Sequence, residues 1–186
     1  VLGRGETQYP LGSSEFNVVS DLKNLYNTKI VAHRGYHYGN AAENSVASLA
    51  EAQKLGVYGS EFDVYITTDG VPVIYHNSTF KGDEVPEDAK YKGWRPDSRT
   101  YEEIKDYKLA NGEPLPTLDD YLNQAKLYPK VKLIIEIKNH NTTDKTMRAA
   151  QTCVDAVKAK GLQNQVEYIA FSYDVCKKLA GLAPEA

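Results

Sequence analysis

Glu61 and Asp63 stand two residues apart in an apolar run, residues 57–66, while His33-Arg34-Gly35 and His76 each follow another such run, residues 29–32 and 71–75. If these runs are strands, Glu61 and Asp63 point to one face and Phe62, Val64 and Ile66 to the other. Two carboxylates on one face repel each other unless a cation sits between them, and all-oxygen ligands suit Mg2+ or Ca2+. Taken alone, E-x-D is more often a solvated acidic pair on an edge strand. Glu136 shifts that balance because it interrupts the apolar run Leu133-Ile134-Ile135-Glu136-Ile137. An ionised carboxylate there is costly unless it is paired or bound to metal. Lys138 shares its face, so two readings stand: a structural Glu136–Lys138 pair, or a third metal ligand beside a lysine that steadies a phosphate oxygen.

His33 and His76 each end a strand. Imidazole titrates near ~6.5, so both could give and take protons near neutrality. The planar fork of Arg34 suits bidentate binding of phosphate, and Gly35 lets the backbone turn sharply and approach a ligand. His37 and His140 lie in polar stretches and are expected to be solvated, without a role. Asn44 is expected to cap the helix that follows it or to touch substrate. Trp94 is expected to anchor a long loop to the body or to cover a pocket.

The elements that must position these groups alternate. After a lead-in at residues 1–29, with a short helix at 20–26, the order is a strand (29–32), a helix (45–55) closed by Gly56, a strand (57–66), a turn at Thr68-Asp69-Gly70 and a strand (71–75). An insertion at about 77–130 follows, loop-like at first, then helical at 100–108 and again from Thr117 to about 127, where Thr117 with Asp120 has the spacing of a capping box. A strand (131–138), a helix (143–160) closed by Gly161, a strand (166–171) and a last helix capped by Asp174 complete the chain. Alternation of this kind predicts an α/β domain with a mostly parallel sheet over residues 30–186. The tight turn at residues 68–70 leaves open whether the strands it joins run antiparallel.

The sequence has 186 residues, 41% of them hydrophobic, enough for one substantial core. A net charge of -3 argues against a general nucleic-acid binder, and no run approaches the ~18 consecutive apolar residues of a membrane span. Cys153 and Cys176 fall in predicted helices and are expected to be buried free thiols. The chain begins with Val1 rather than Met. That fits a removed signal peptide, as in a periplasmic or secreted protein, or a trimmed start, with a cytoplasmic location equally open.

The ordered set Ala32-His33-Arg34-Gly35, Glu43-Asn44-Ser45, Glu61-Phe62-Asp63, Thr68-Asp69-Gly70-Val71-Pro72-Val73, His76, Pro116-Thr117-Leu118 and Glu136-Ile137-Lys138 resembles the glycerophosphodiester phosphodiesterase family. The resemblance implies a TIM (β/α)8 barrel with its site at the C-terminal ends of the strands. It implies Glu61, Asp63 and Glu136 as ligands of one divalent cation, Mg2+ or Ca2+, His33 and His76 as acid–base catalysts, and Arg34 and Lys138 as holders of the phosphate. The implied reaction splits a small glycerophosphodiester into glycerol 3-phosphate and an alcohol, a step of lipid metabolism. A related barrel phospholipase, of the D type or the phosphoinositide-specific C type, is the nearest alternative. A module that holds a phosphate ligand without cleaving it is the other.

Two departures from the family pattern stand out. Asn77 follows His76 where the family usually has Asp, which keeps hydrogen bonding and loses a charge. Only about five strands are expected where a complete barrel has eight and ~250 residues, so the sequence is expected to be part of a longer protein.

Overall fold

Strict alternation at the centre of the chain builds the sheet. In β2 (Gly59–Ile66) and β4 (Lys132–Ile137) one set of side chains faces the core: Phe62 and Val64, with Leu133, Ile135 and Ile137, all completely buried, and Ser60 as its one polar member. The opposite set carries Glu61, Asp63 and Glu136. The structure is a computed structural model and describes residues 28–186. The predicted helix at 20–26 and nearly all of the lead-in lie outside the described residues.

Around β2 and β4 lie β1 (Val31–Ala32), β3 (Pro72–Ile74) and β5 (Val166–Ala170), in the order β1-β2-β4-β5. All three of those pairings are parallel. The tight turn resolves as an antiparallel connection: Val64, Tyr65 and Ile66 pair with Ile74, Val73 and Pro72. Because β4 occupies one edge of β2, β3 shares the other edge with β1, beyond the end of β1. The expected strands are thus present as four parallel strands and one antiparallel companion, a portion of the expected barrel.

Helices α1 (Val46–Lys54), α3 (Leu118–Ala125), α4 (Thr143–Ala159) and α5 (Tyr173–Leu182) cover the apolar face, and α2 (Tyr101–Ile104) belongs to the insertion. Leu49, Phe62, Leu122, Ala149, Val154 and Val175 share this main core. Burial of each such large side chain stabilises by about 1.5–3 kcal/mol. Helix starts follow the capping rules. Thr117 accepts from the N–H of Asp120 while the Asp120 carboxylate accepts from the Thr117 N–H, the expected box. Two caps differ from expectation. Ser45, not Asn44, caps α1, and Ser172, not Asp174, caps α5; each serine hydroxyl accepts the N–H three residues on.

The insertion has its own core, built from Tyr65, Val73, Tyr75, Phe80, Tyr91, Ile104, Tyr107 and Leu115. Short 3-10 helices at Pro86–Tyr91 and Pro96–Ser98 fill its first half. Tyr rather than Phe suits this core because the hydroxyls find partners: Tyr107 Oη lies 3.2 Å from Tyr75 Oη and donates to Glu84 at 2.7 Å. Trp94 packs edge-on to Tyr91 with the Arg99 guanidinium over its ring, and so anchors the insertion. The predicted helix at 100–108 stops after Ile104. Tyr107 turns into this core and the Lys108 N–H donates to Asp88 instead of continuing the helix. Both cysteines are free. Cys153 is buried, which pushes its thiol up to about 12, whereas Cys176 is exposed on α5, contrary to expectation.

Candidate active site

The acidic residues converge. Register pairs Asp63 with Glu136 across β2 and β4, and Glu61 lies two residues before Asp63 on the same face. One carboxylate oxygen from each of Glu61, Asp63 and Glu136 lies within 4.8 Å of the others, and all three residues are buried. Glu61 Oε2 accepts the Arg34 N–H at 3.0 Å, while its Oε1 is buried with no hydrogen-bond partner among the described residues. Burial first, and the charge of Asp63 second, push the Glu61 carboxyl up to about 7. Buried carboxylates that repel one another, one with an unused oxygen, fit a hard divalent cation.

Cations of the chain surround the cluster. Lys138 Nζ lies 2.7 Å from Glu136 Oε1 and 3.1 Å from Asp63 Oδ1. Burial opposes its charge, but the bonds to Glu136 and Asp63 win and hold its pKa above the ordinary value. Arg34 bonds Glu43 at 3.0 Å through Nη1, and its Nε stands 3.6 Å from Asp63. The turn that places Arg34 is unusual: Arg34 and Gly35 both have positive φ, 57° and 79°. The Arg34 carbonyl accepts from the Asn44 N–H and the Ser48 hydroxyl, which ties the end of β1 to the start of α1.

His33 lies against the cluster, and His76 lines a cavity shared with Glu43 and Asn44. His33 keeps 63% of its side chain exposed, with Nε2 3.8 Å from Glu61 Oε2. Partial burial, then Arg34, lowers its pKa below the ordinary value. His76 is half-buried, and its Nδ1 lies 3.0 Å from Asn77 Oδ1. An amide oxygen only accepts, so Nδ1 is the donor in this contact and Nε2 faces away from it. A cavity of ≈ 210 Å³ opens against His76, between Glu43, Tyr75, Lys81, Glu84 and Leu109. A larger, open cleft of ≈ 600 Å³ between Val46, Pro114 and Gln124 contains none of these groups.

Two contributors differ from the sequence reading. Asn44, also at positive φ, donates to Asp63 Oδ2 at 2.9 Å and accepts the Asp63 N–H at 3.3 Å, so it orients a cluster carboxylate rather than capping a helix. His140 is buried at 8% exposure rather than solvated. His37 is exposed, as expected.

A sequence profile of the glycerophosphoryl diester phosphodiesterase family matches residues 33–186. The crystal structure of a glycerophosphodiester phosphodiesterase from Parabacteroides distasonis superposes with a TM-score of 0.77 at 42% identity, over 86% of this chain and 63% of that one. A glycerophosphodiester phosphodiesterase of Caldanaerobacter subterraneus is 33% identical over 145 residues, 64% of this chain and 56% of its own length. A phosphodiesterase of Oleispira antarctica, solved with its product sn-glycerol-3-phosphate, shares the fold at a TM-score of 0.67 and 23% identity, over 85% of this chain and 63% of that one. The chain therefore spans about three fifths of the length of these three proteins.

Proposed function

This chain belongs to the glycerophosphoryl diester phosphodiesterase family, and from that membership we propose that it cleaves small glycerophosphodiesters to glycerol 3-phosphate and an alcohol. The observation that carries the proposal is the meeting of Glu61, Asp63 and Glu136 at one buried point, with His33, Arg34 and Lys138 against it and His76 lining the cavity that also takes in Glu43 and Asn44. Glu61, Asp63 and Glu136 would hold one divalent cation, Mg2+ or Ca2+. When bound, such an ion supplies positive charge that offsets the charge building up on the phosphoryl oxygens.

The chain's own side chains do the rest. The Arg34 guanidinium and Lys138 ammonium hold non-bridging phosphate oxygens, which fixes the phosphorus between the two imidazoles. One imidazole takes the proton of the attacking hydroxyl, the glycerol hydroxyl next to the ester. The other gives a proton to the departing alkoxide as the bond from phosphorus to that oxygen breaks. Water then opens the resulting cyclic phosphate with the two roles exchanged, which restores both protonation states and releases glycerol 3-phosphate. Asn77, by accepting from Nδ1, leaves His76 Nε2 free for this work. The insertion, residues 77–130, contributes Lys81 and Glu84 to the cavity beside His76, and residues 30–186 act as the barrel portion that carries the site.

The test is turnover of glycerophosphocholine, followed by 31P NMR, beside phospholipid vesicles. The diester should be consumed and yield glycerol 3-phosphate, a chelator should stop the reaction, and Mg2+ or Ca2+ should restore it. His33→Ala and His76→Ala should each lower kcat by about 10²–10⁴. Cleavage of vesicles alone would assign the phospholipase reaction instead, and full activity in chelator would remove the metal.

A further inference from the structure

His140 lies at the point where β2 and β4 part. The last backbone bond of that parallel ladder runs from the Lys138 N–H to the Val64 carbonyl at 3.1 Å. In this register the next bond would run from the Ile66 N–H to the Lys138 carbonyl, at about 2.9 Å. It does not form. The Ile66 N–H donates instead to His140 Nε2 at 2.8 Å, and His140 Nδ1 lies 2.8 Å from the Lys138 carbonyl oxygen. The imidazole has taken the place of one ladder bond and holds the two backbone groups a ring's width apart.

The bonding fixes the ring's state. A backbone N–H can only donate, so Nε2 must carry a lone pair; a carbonyl can only accept, so Nδ1 must carry the proton. Burial, the largest influence on its pKa, favours the same uncharged form. The backbone N–H of His140 donates to Thr146 Oγ1 at 3.0 Å, and the ring packs edge-on to Tyr65 at 5.3 Å between centroids.

We infer that His140 is a positioning residue: as a neutral wedge it splays β2 from β4 where Lys138 leaves the sheet, and thereby aims the Lys138 ammonium at Asp63 and Glu136. The inference rests on the role proposed above for Lys138. Without the wedge, the Ile66 N–H and the Lys138 carbonyl would bond directly, continue the strand pair and rotate Lys138 with it. The sequence signal was the position alone, two residues beyond Glu136-Ile137-Lys138.

A double-mutant cycle with a spectroscopic control tests this. In the parent, NMR should show the His140 Nδ1–H tautomer and a through-hydrogen-bond coupling between the Ile66 amide nitrogen and His140 Nε2, whether or not turnover is measured. An Nε2–H tautomer without the coupling would overturn the wedge. His140→Leu should lower kcat/KM for glycerophosphocholine about ten- to a hundredfold. His140→Gln, whose amide can accept from Ile66 and donate to Lys138, should recover most of it. In the Lys138→Met background, His140→Leu should cost no more than about twofold further. An equal proportional loss in both backgrounds would mean that His140 only stabilises the fold, and would overturn the inference. Undiminished kcat/KM in Lys138→Met would sink the role of Lys138, and with it the purpose of the wedge, while leaving the coupling in place.

Discussion

At Gly35 a Cβ would lie 2.3 Å from Ser48 Oγ and 2.7 Å from the Ser48 carbonyl carbon, at a φ of 79°. The backbone contact cannot be relieved by a rotamer change, and an L side chain is strained at that φ. Gly35→Ala should therefore destabilise the chain by more than about 2 kcal/mol in urea unfolding, and it should disturb Arg34, whose N–H serves Glu61. A loss well under about 1 kcal/mol would show that the turn yields more easily than its contacts imply. His140 gives a pH signature. Burial lowers its pKa below 6.5, aided by Lys145 and Arg95 and opposed by the Lys138 carbonyl and Asp97. The unfolded chain thus takes up a proton at higher pH than the folded one. The corresponding stability is fully present above the unfolded value and fades as pH falls below it. His140→Gln cannot titrate, so its urea midpoint should fall less between neutrality and mildly acidic pH than the parent's. An identical fall would place the acid sensitivity elsewhere.

Strands and insertion differ in how much their sequences disclosed. β2 and β4 were readable because their period of two separates apolar from acidic faces by itself, and that separation delivers Glu61, Asp63 and Glu136 to one side. The segment at 100–108 misled for a physical reason. Thr100 with Glu103 is a genuine capping box, and Tyr101, Ile104 and Tyr107 have helical spacing, but Tyr107 is held by Tyr75 and Glu84, which local pattern does not reveal. Asn44 and His140 were misread likewise: their partners, Asp63 and Ile66, stand 19 and 74 residues away in sequence. The same logic yields a prediction for the insertion. Tyr107→Phe keeps the packing and removes the hydroxyl that Glu84 uses, so it should cost about 1–3 kcal/mol of stability. Phe80 has no polar atom to satisfy but packs against the rings of Tyr75, Tyr91 and Tyr107, so Phe80→Leu should cost about 1–3 kcal/mol through lost volume and ring contacts. If Tyr107→Phe proves neutral, water satisfies Glu84 and the tyrosine bias of this core has another origin.

For the whole molecule, the cluster joins β2 to β4 at the centre of the sheet, so whatever fills it should be felt in global stability. Glu61 separates the two consequences. Its Oε1 has no protein partner among the described residues, and burial and Asp63 both disfavour its charged form. Glu61→Gln keeps the shape, keeps an oxygen for the Arg34 N–H and removes the repulsion. Without divalent cation, that variant should be at least as stable as the parent. With Mg2+ or Ca2+ at about 100 times its dissociation constant, the parent should gain about 2.7 kcal/mol through binding to the folded state. For a chain of this size that is a rise in Tm of roughly 5–10 °C, and Glu61→Gln should lose most of it. Matching ionic strength with a monovalent salt removes general screening from the comparison. A stabilising response equally large in Glu61→Gln would mean that the cation binds outside the cluster. A marked loss of stability in the metal-free variant would mean that the Glu61 carboxylate holds the sheet together by itself, as a structural charge rather than a ligand in waiting.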